Sequence, residues 1–259
     1  MTIRDLSSLV DIPVATTHCA TNLLDYSCYD AIKVQELTDS QKEMRLKFCA
    51  TYLRWNNECK RMIWWSDESL FSLNDLYKFK RTSYLAKENE YRICDKKFDK
   101  KKINVWVALR GDGKLIFRIL DGIQLSENYI QLLYNVFQEM DFQNSFLMQD
   151  GAGIHTSDDA VDWINFLWKD RWIGLKSSRL EFPPHSMDLT PLDFSFWSYV
   201  KRKVAAANVQ SVEGLREAIC IEINRVPQEI IINMCLEVAE RCRKCIMMNG
   251  GRFERYSFQ

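Results

Sequence analysis

The sequence predicts a mixed α/β domain, in which helices flank a central sheet, preceded by a small helical segment. Three observations predict this class. Strand-forming segments come first as a run, strands and helices then alternate, and the last third of the chain is almost wholly helical. The chain has 259 residues, of which 47% are hydrophobic, enough to bury the core of one large domain with a small appendage.

The first 24 residues outline two short helices. The apolar residues of the first half have the spacing of one helix face: Ile3, Leu6, Leu9 and Val10. A break at 11–13 separates them from the second half. This outline is typical of a helix-turn-helix, and two small core-packing helices fit the pattern about as well. Because Arg4 is the only Lys or Arg here, we expect this segment to bind DNA weakly by itself.

A longer helix is predicted from Thr38 to Arg54. Thr38 suits the N-cap, and the pattern gives a stripe of apolar residues on one face: Leu46, Cys49, Ala50 and Leu53. We interpret this helix as a connector. The predicted organisation is a partial helix-turn-helix DNA-binding segment at 1–24, a helical linker at 25–58 and the main domain at 59–259.

The main domain begins with strand-forming segments. RMIWWSDESLFSL (61–73) is dense in β-formers, and INVWVALR (103–110) and KLIFRIL (114–120) read as two strands joined at 111–113. A helix is predicted at 126–140, a short buried strand at 145–149 and a further helix at 156–170. The remaining predicted helices cover 190–204, 211–225 and 227–247.

Two aspartates follow apolar runs in the same way. Asp67 follows MIWWS and Asp150 follows SFLMQ, so we expect each at the carboxyl end of a strand. Ligand crevices form outside such strand ends, so the two side chains can converge. Two acids in one crevice repel unless they share a cation. Mg²⁺ prefers oxygen ligands and commonly takes one or two carboxylates.

A third aspartate lies in the stretch PPHSMDLTPLDFSFW (183–197), which holds three of the five prolines. Thr190, Pro191 and Asp193 suit the N-cap, first and third positions of a helix. Asp193 could therefore serve only to satisfy helix amides. The aromatic residues that follow leave little room for solvent, which favours an enclosed carboxylate instead. The residues alone leave both interpretations open.

The order of these motifs resembles the catalytic domain of mariner-superfamily transposases. The matching segments are WSDESLFSL, NVWVAL, MQDGAGIHTS and FPPHSMDLTPLDFSFWSYVK. The resemblance implies a ribonuclease-H-like fold in which Asp67, Asp150 and Asp193 bind Mg²⁺ or Mn²⁺. It further implies cleavage of a phosphodiester at a transposon end, followed by strand transfer into target DNA. The implied partners are the terminal inverted repeats and target DNA, bound by a homodimer.

Two further residues accompany the acids. His155 matches a histidine of the family motif and is a candidate to orient a phosphate or an acid, whereas the residues alone favour a histidine that caps the next helix. Glu68 is next to Asp67 and should point to the opposite side of the strand, where we expect it to support the site. The short N-terminal segment suggests an alternative. In this alternative the protein is a catalytically inactive or domesticated remnant of a transposase that only binds DNA.

The overall charge is balanced, with 35 Lys and Arg against 35 Asp and Glu, so net charge indicates no partner. Ten basic residues nevertheless fall between 78 and 102, against four acidic ones. We predict a DNA-phosphate track here, although charged runs are usually solvated loops. Its predicted members, extended by two lysines further along, are Lys96, Lys97, Lys100, Lys101, Lys102, Lys201 and Lys203. The run KKFDKKK is also a candidate nuclear-localisation signal, so the expected location is the nucleus.

Other features exclude further classes. The N-terminus does not show the basic stretch and following apolar core of a signal peptide. No apolar run reaches the roughly 20 residues of a membrane span. The nine cysteines have no framework spacing, which suits reduced thiols. Cys242 and Cys245 form a single C-x-x-C pair, which we expect to pack as small apolar groups rather than bind zinc.

Overall fold

A computed structural model describes residues 3–24, 36–73, 102–120 and 126–253. The chain divides into two compact units, Met1–Glu36 and Leu37–Gln259. The first unit contains α1 (Ile3–Val10) and α2 (Val14–Leu23). Between them Asp11 has a φ of 53°, and the hydroxyl of Ser7 donates to the carbonyl of Ile12 at 2.5 Å. The two predicted short helices are therefore present, and their DNA-binding role remains a prediction.

The second unit contains the sheet and the remaining helices. Its helices are α3 (Asp39–Arg54), α4 (Asn57–Arg61), α5 (Ser126–Val136), α6 (Asp158–Trp168), α7 (Trp197–Ala206), α8 (Val212–Asn224) and α9 (Gln228–Met247). Its strands are β1 (Ile63–Phe71), β2 (Ile103–Arg110), β3 (Leu115–Leu120), β4 (Phe146–Met148) and β5 (Trp172–Ile173). A 3₁₀ turn at Met187–Leu189 and a π-helical turn at Leu192–Phe196 precede α7. The helix predicted from 190 therefore begins with a π-helical turn, and the one predicted at 126–140 ends at Val136.

Within the described residues the sheet has five strands, in the order β3-β2-β1-β4-β5. The β1–β2 and β2–β3 pairs are antiparallel, whereas β1–β4 and β4–β5 are parallel. The predicted mixed sheet is confirmed. β1 lies at its centre, which makes β1 the strand from which a site is best supported.

Both faces of the sheet are covered, because the strands alternate apolar residues on the two sides. One face carries Trp65, Val105 and Val107, which pack against α3, α7, α8 and α9. The opposite face carries Trp64 and Trp106, which pack against α5 and α6. On β1, odd-numbered residues up to Phe71 therefore face α7 and α9, and even-numbered residues face α5 and α6.

The helix α3 belongs to this core, and the interpretation of residues 25–58 as a linker does not describe it. Thr38 caps the helix as predicted, since Gln41 N donates to its hydroxyl at 3.2 Å. The buried stripe differs from the predicted one by about one position and consists of Arg45, Phe48, Cys49 and Tyr52. The shift arises because an arginine, which a hydrophobic pattern ignores, occupies a core position. The compact unit accordingly begins at Leu37 rather than near residue 59.

The described part of the chain contains no helix long and apolar enough to cross a membrane. Its seven described cysteines are all free. Cys242 and Cys245 are buried among apolar side chains, as expected.

Candidate active site

Asp67 and Asp150 occupy equivalent positions relative to the pairing of two adjacent parallel strands. The last pair of the β1–β4 ladder is Trp65 with Met148, and each aspartate comes two residues later. Asp67 does not end its strand as expected, because β2 continues to pair with β1 as far as Phe71. What ends after Trp65 is the parallel ladder. The crevice predicted at a strand end therefore opens where β4 leaves β1.

Asp193 reaches the same region from the π-helical turn. Its backbone N–H donates to the hydroxyl of Thr190 at 3.1 Å, and that hydroxyl donates to its carboxylate oxygen Oδ2, also at 3.1 Å. Thr190 is therefore the capping residue, and the carboxylate of Asp193 is left to face the site. The Asp193 side chain lies close enough to Asp67 for a hydrogen bond between the two carboxyls to influence its pKa. Of the two interpretations, the structure favours the enclosed carboxylate. A π-helical turn at this position is common at functional sites.

Burial and the charge of neighbouring carboxylates both raise the pKa of Asp67 and of Asp193. Burial raises the pKa of Asp67 well above its ordinary value, and the nearby charge of Asp193 raises it further. Burial likewise raises the pKa of Asp193, and the charge of Asp150 adds to that rise. Opposing these effects, the indole Nε1 of Trp197 donates to Oδ2 of Asp67 at 2.6 Å. A cation among these carboxyls would relieve the repulsion.

Asp150 has a different environment, because a histidine supports it. His155 Nδ1 lies 2.6 Å from Oδ1 of Asp150, and Nε2 lies 3.2 Å from Oε1 of Glu68. Burial alone would raise the pKa of Asp150, but the hydrogen bond and charge of His155 outweigh burial and lower it. Burial would lower the pKa of His155, but the two carboxylates raise it to about 10. This raised pKa favours the protonated ring of His155, which is buried between the carboxylates of Asp150 and Glu68.

Further side chains hold this histidine in place. The ring of Tyr129 on α5 lies 4.3 Å from the ring of His155, measured between centroids. Its hydroxyl donates to Oε1 of Gln149 at 2.5 Å, and the amide of Gln149 donates to the backbone carbonyl of His155 at 3.0 Å. Tyr129, Gln149 and His155 are all at most 2% exposed. Tyr129 and Gln149 therefore fix the position of the imidazole that contacts Asp150.

A cavity of about 300 Å³ opens beside Asp150 and Asp193, lined on its other side by Pro183, Pro184 and Met187. Within the described ranges, no three His, Cys, Asp or Glu side chains are grouped closely enough to hold a metal ion as they stand. The chemistry of the donors still fits a hard divalent cation. Carboxylate oxygens are its preferred ligands, and burial together with neighbouring carboxylates raises the pKa of both Asp67 and Asp193.

The predicted DNA-contacting lysines are only partly described. Lys96, Lys97, Lys100 and Lys101 lie outside the described residues, and Lys102 is exposed immediately before β2. On α7, Lys201 lies over the ring of Phe71 at 5.3 Å and its charge lowers the pKa of Asp193. Lys203 is exposed and lies over the ring of Tyr199 at 5.7 Å. The two lysines of α7 therefore begin a basic surface next to the acids.

Sequence reasoning predicted Thr190 as a cap but missed Trp197 and Tyr129 as supports of the acids. Trp197 had a usable signal, since a buried indole usually finds a hydrogen-bond acceptor and it comes four positions after Asp193. Tyr129 had none, because its contacts depend on how α5 packs against the sheet.

The strand order, with acids beside the central strand, defines a ribonuclease-H-like domain. The family model described as DDE superfamily endonuclease matches residues 62–216, more than half of the 259 residues. The chain belongs to this family, and the predicted class of enzyme is confirmed.

Solved structures agree on the fold. The pre-cleavage Mos1 transpososome matches with a TM-score of 0.78 at 18% identity, over 98% of this chain and 75% of that chain. The Mos1 mariner paired end complex with Mn gives a TM-score of 0.77 at 18% identity, over the same shares of 98% and 75%. The catalytic domain of Mos1 mariner transposase gives 0.64 at 19% identity, over 86% of this chain and 100% of that one. A comparison with curated proteins finds no match. The predicted ribonuclease-H-like fold is confirmed.

Proposed function

We propose that this chain is a DNA transposase that cuts phosphodiester bonds and transfers strands with Asp67, Asp150 and Asp193 as its catalytic, metal-binding acids. One observation carries the proposal. Asp67 and Asp150 each follow the last pair of the parallel ladder by two residues, and Asp193 adds a third carboxyl that interacts with both. Membership of the DDE superfamily endonucleases supports the same chemistry.

The proposed cofactor is Mg²⁺ or Mn²⁺, held by the three aspartates. Structurally similar Mos1 complexes were solved with Mn and with Mg. When bound, such ions activate an attacking oxygen and stabilise the leaving oxygen of an in-line displacement.

The protein's own side chains have distinct tasks in this mechanism. Trp197 holds one oxygen of Asp67 through its indole N–H, which favours the ionised carboxylate. His155 keeps Asp150 ionised, since its charge and hydrogen bond lower the pKa of that carboxyl. Asp193 is held by Thr190. Burial disfavours uncompensated carboxylates at Asp67 and Asp193, which favours a cation between them.

The proposed partners are transposon ends and target DNA. Mos1 structures include a pre-cleavage transpososome and a strand transfer complex. In this chain, Lys201 and Lys203 place positive charge near the acids, where a DNA backbone would need it. A homodimer on paired ends, a nuclear location and weak DNA binding by 1–24 are part of the proposal. The inactive remnant is not favoured, because all three acids are present and lie in one region.

The test is nicking of supercoiled plasmid by the purified chain in the presence of Mn²⁺. We expect cleavage by the wild type and a loss of roughly 10³-fold or more in Asp150→Asn, since the lost interaction would be worth several kcal/mol in the transition state. Asp158→Asn is the matched control, because this aspartate is 94% exposed on α6. Equal nicking by wild type and Asp150→Asn would exclude the proposed enzyme. Salt-sensitive DNA binding without any nicking would restore the remnant as the better explanation.

A further inference from the structure

Arg45 is a charged residue on the apolar face of α3. It shares the buried stripe of Phe48, Cys49 and Tyr52, and its side chain is 0% exposed. A buried guanidinium is costly unless its donors are paired. In this structure the partners of Arg45 lie in two segments that are distant in sequence, so the side chain connects parts of the chain that local folding does not bring together.

The first segment is the proline-rich loop that leads to Asp193. Nη1 and Nη2 of Arg45 donate to the two carboxylate oxygens of Asp188 at 2.7 and 2.6 Å. Nη1 also donates to the hydroxyl of Ser186 at 2.9 Å. The Asp188 side chain is itself 0% exposed. Such a bidentate pair fixes orientation as well as distance, which a lysine ammonium would not do.

The second segment is the turn after α9. Nε of Arg45 donates to the carbonyl of Gly250 at 2.8 Å, and Nη2 donates to that of Gly251 at 3.2 Å. Gly250 has a φ of +79°, and a Cβ there would lie 2.4 Å from the carbonyl oxygen of Lys42. This turn is therefore pressed against α3 at the level of Arg45. The loop contacts one side of the guanidinium while the turn occupies the other.

The fixed loop leads directly to the third acid. Asp188 lies in the 3₁₀ turn Met187–Leu189, and Asp193 lies in the next turn, Leu192–Phe196. Between them, Leu189 and Leu192 are both 0% exposed. Five residues that are anchored at one end by an ion pair and along their length by buried leucines have little freedom. The place of Asp193 is therefore set by the place of Asp188.

We propose that Arg45 is a positioning residue for Asp193: by clamping Asp188, it holds the proline-rich loop where the carboxyl of Asp193 meets Asp67. This inference rests on the proposed function, because only the proposed function makes Asp193, at the end of this loop, a metal ligand. Arg45 does not touch the acids. It acts through the loop, and its removal should weaken metal binding even where the fold survives.

Two variants test this inference. Arg45→Lys keeps the positive charge and loses the bidentate fork. The double variant Arg45→Met with Asp188→Leu removes both charges with similar volume, a replacement that often leaves stability unchanged. Binding of Mn²⁺ alone is followed by the electron paramagnetic resonance signal of the free ion, beside the melting temperature and the plasmid-nicking rate. We expect each variant to bind Mn²⁺ roughly 10- to 100-fold more weakly, the usual effect of losing a partner behind a metal ligand.

The outcomes separate this inference from the proposed function. A lower melting temperature with wild-type Mn²⁺ affinity in folded Arg45→Lys means that Arg45 is only structural, which overturns the inference. If the double variant fails to fold, Arg45→Lys decides alone, measured below its melting temperature. Arg243→Lys is the control, because this arginine on α9 is 59% exposed and pairs with Glu240. If the wild type neither binds Mn²⁺ nor nicks DNA, the proposed function itself fails and the inference with it.

Discussion

Trp197 and Asp67 are 130 residues apart in sequence and joined by a 2.6 Å hydrogen bond from the indole Nε1 to the carboxylate Oδ2. The bond connects the first turn of α7 to the central strand. It is the contact that opposes the effect of burial on the pKa of Asp67, since a donor stabilises the ionised carboxylate. The donor on α7 therefore favours the ionised form of Asp67, against the effect of burial.

Replacing Trp197 with Phe should lower nicking more than it lowers stability. The variant removes the donor to Asp67 and keeps most of the ring packing against Phe71 and Phe196. We expect Mn²⁺-dependent nicking to fall about 10- to 100-fold, with a loss of about 1 to 3 kcal/mol in the free energy of unfolding. Kinetics and urea melts measure the two effects. Trp163→Phe, at a half-buried position on the other sheet face, should leave nicking intact, and equal nicking by both variants would contradict this role.

Replacing Asp67 with Asn should stabilise the metal-free protein. The pKa of Asp67 is higher in the folded protein than in the unfolded chain. As the pH rises above about 4, the folded state therefore binds more protons than the unfolded chain, and its stability falls. The neutral amide removes this loss. In EDTA at pH 7, we expect the melting temperature to rise by about 2 to 4 °C, which is about 1 kcal/mol for a domain of this size.

In the presence of Mn²⁺, the wild type should instead melt at a higher temperature than Asp67→Asn. The wild type should gain stability from the ion, whereas Asp67→Asn should gain little. Asp158→Asn, at an exposed site, serves as the control in both conditions. An Asp67→Asn variant that melts below the wild type in EDTA would show that the repulsion is not significant.

Replacing His155 with Gln should weaken Mn²⁺ binding. The imidazolium lies between Asp150 and Glu68, so its loss leaves two carboxylates facing each other and frees the side chain of Asp150. We expect the Mn²⁺ concentration for half-maximal nicking to rise about 10- to 100-fold. His18→Gln in the exposed part of α2 is the matched control. An unchanged midpoint would mean that His155 only fills space.

Replacing Lys201 and Lys203 with Gln should weaken DNA binding in a sequence-independent way. Each lysine that contacts a phosphate contributes about 0.9 to the slope of log affinity against log salt concentration. We expect the double variant to lower that slope by about 2, measured by fluorescence anisotropy over a salt series. Lys114→Gln is the control, since Lys114 is exposed at the turn that pairs with the opposite end of β1. A slope unchanged from the wild type would show that these lysines do not contact DNA phosphates.

The sequence predicts much of this architecture because its signals are local. Segments dense in β-formers indicated β1 and β2, and the Thr38 cap indicated the start of α3, since these patterns depend on near neighbours. The convergence of Asp67 and Asp150 was predicted from their places after two apolar runs, although Asp67 does not end its strand, whereas Asp193 needed the family resemblance.

The contacts that hold the acids were not predictable in the same way. Arg45 and Asp188 are 143 positions apart, and His155 and Glu68 are 87 apart, so no window of sequence contains either pair. Arg45 is nevertheless recognisable in the sequence as an unusual residue of α3. A charged residue at the same helical spacing as Phe48, Cys49 and Tyr52 implies a buried partner, even though the sequence does not name it.

The ladder between β1 and β4 has only three paired positions, from Ile63 with Phe146 to Trp65 with Met148. These few pairs set the spacing of Asp67 and Asp150, whatever the length of chain that joins the strands. Insertions between β1 and β2 should therefore be tolerated during evolution. A single residue added between Met148 and Asp150 would instead turn the second carboxyl toward the other layer, so this short stretch should accept almost no change of length.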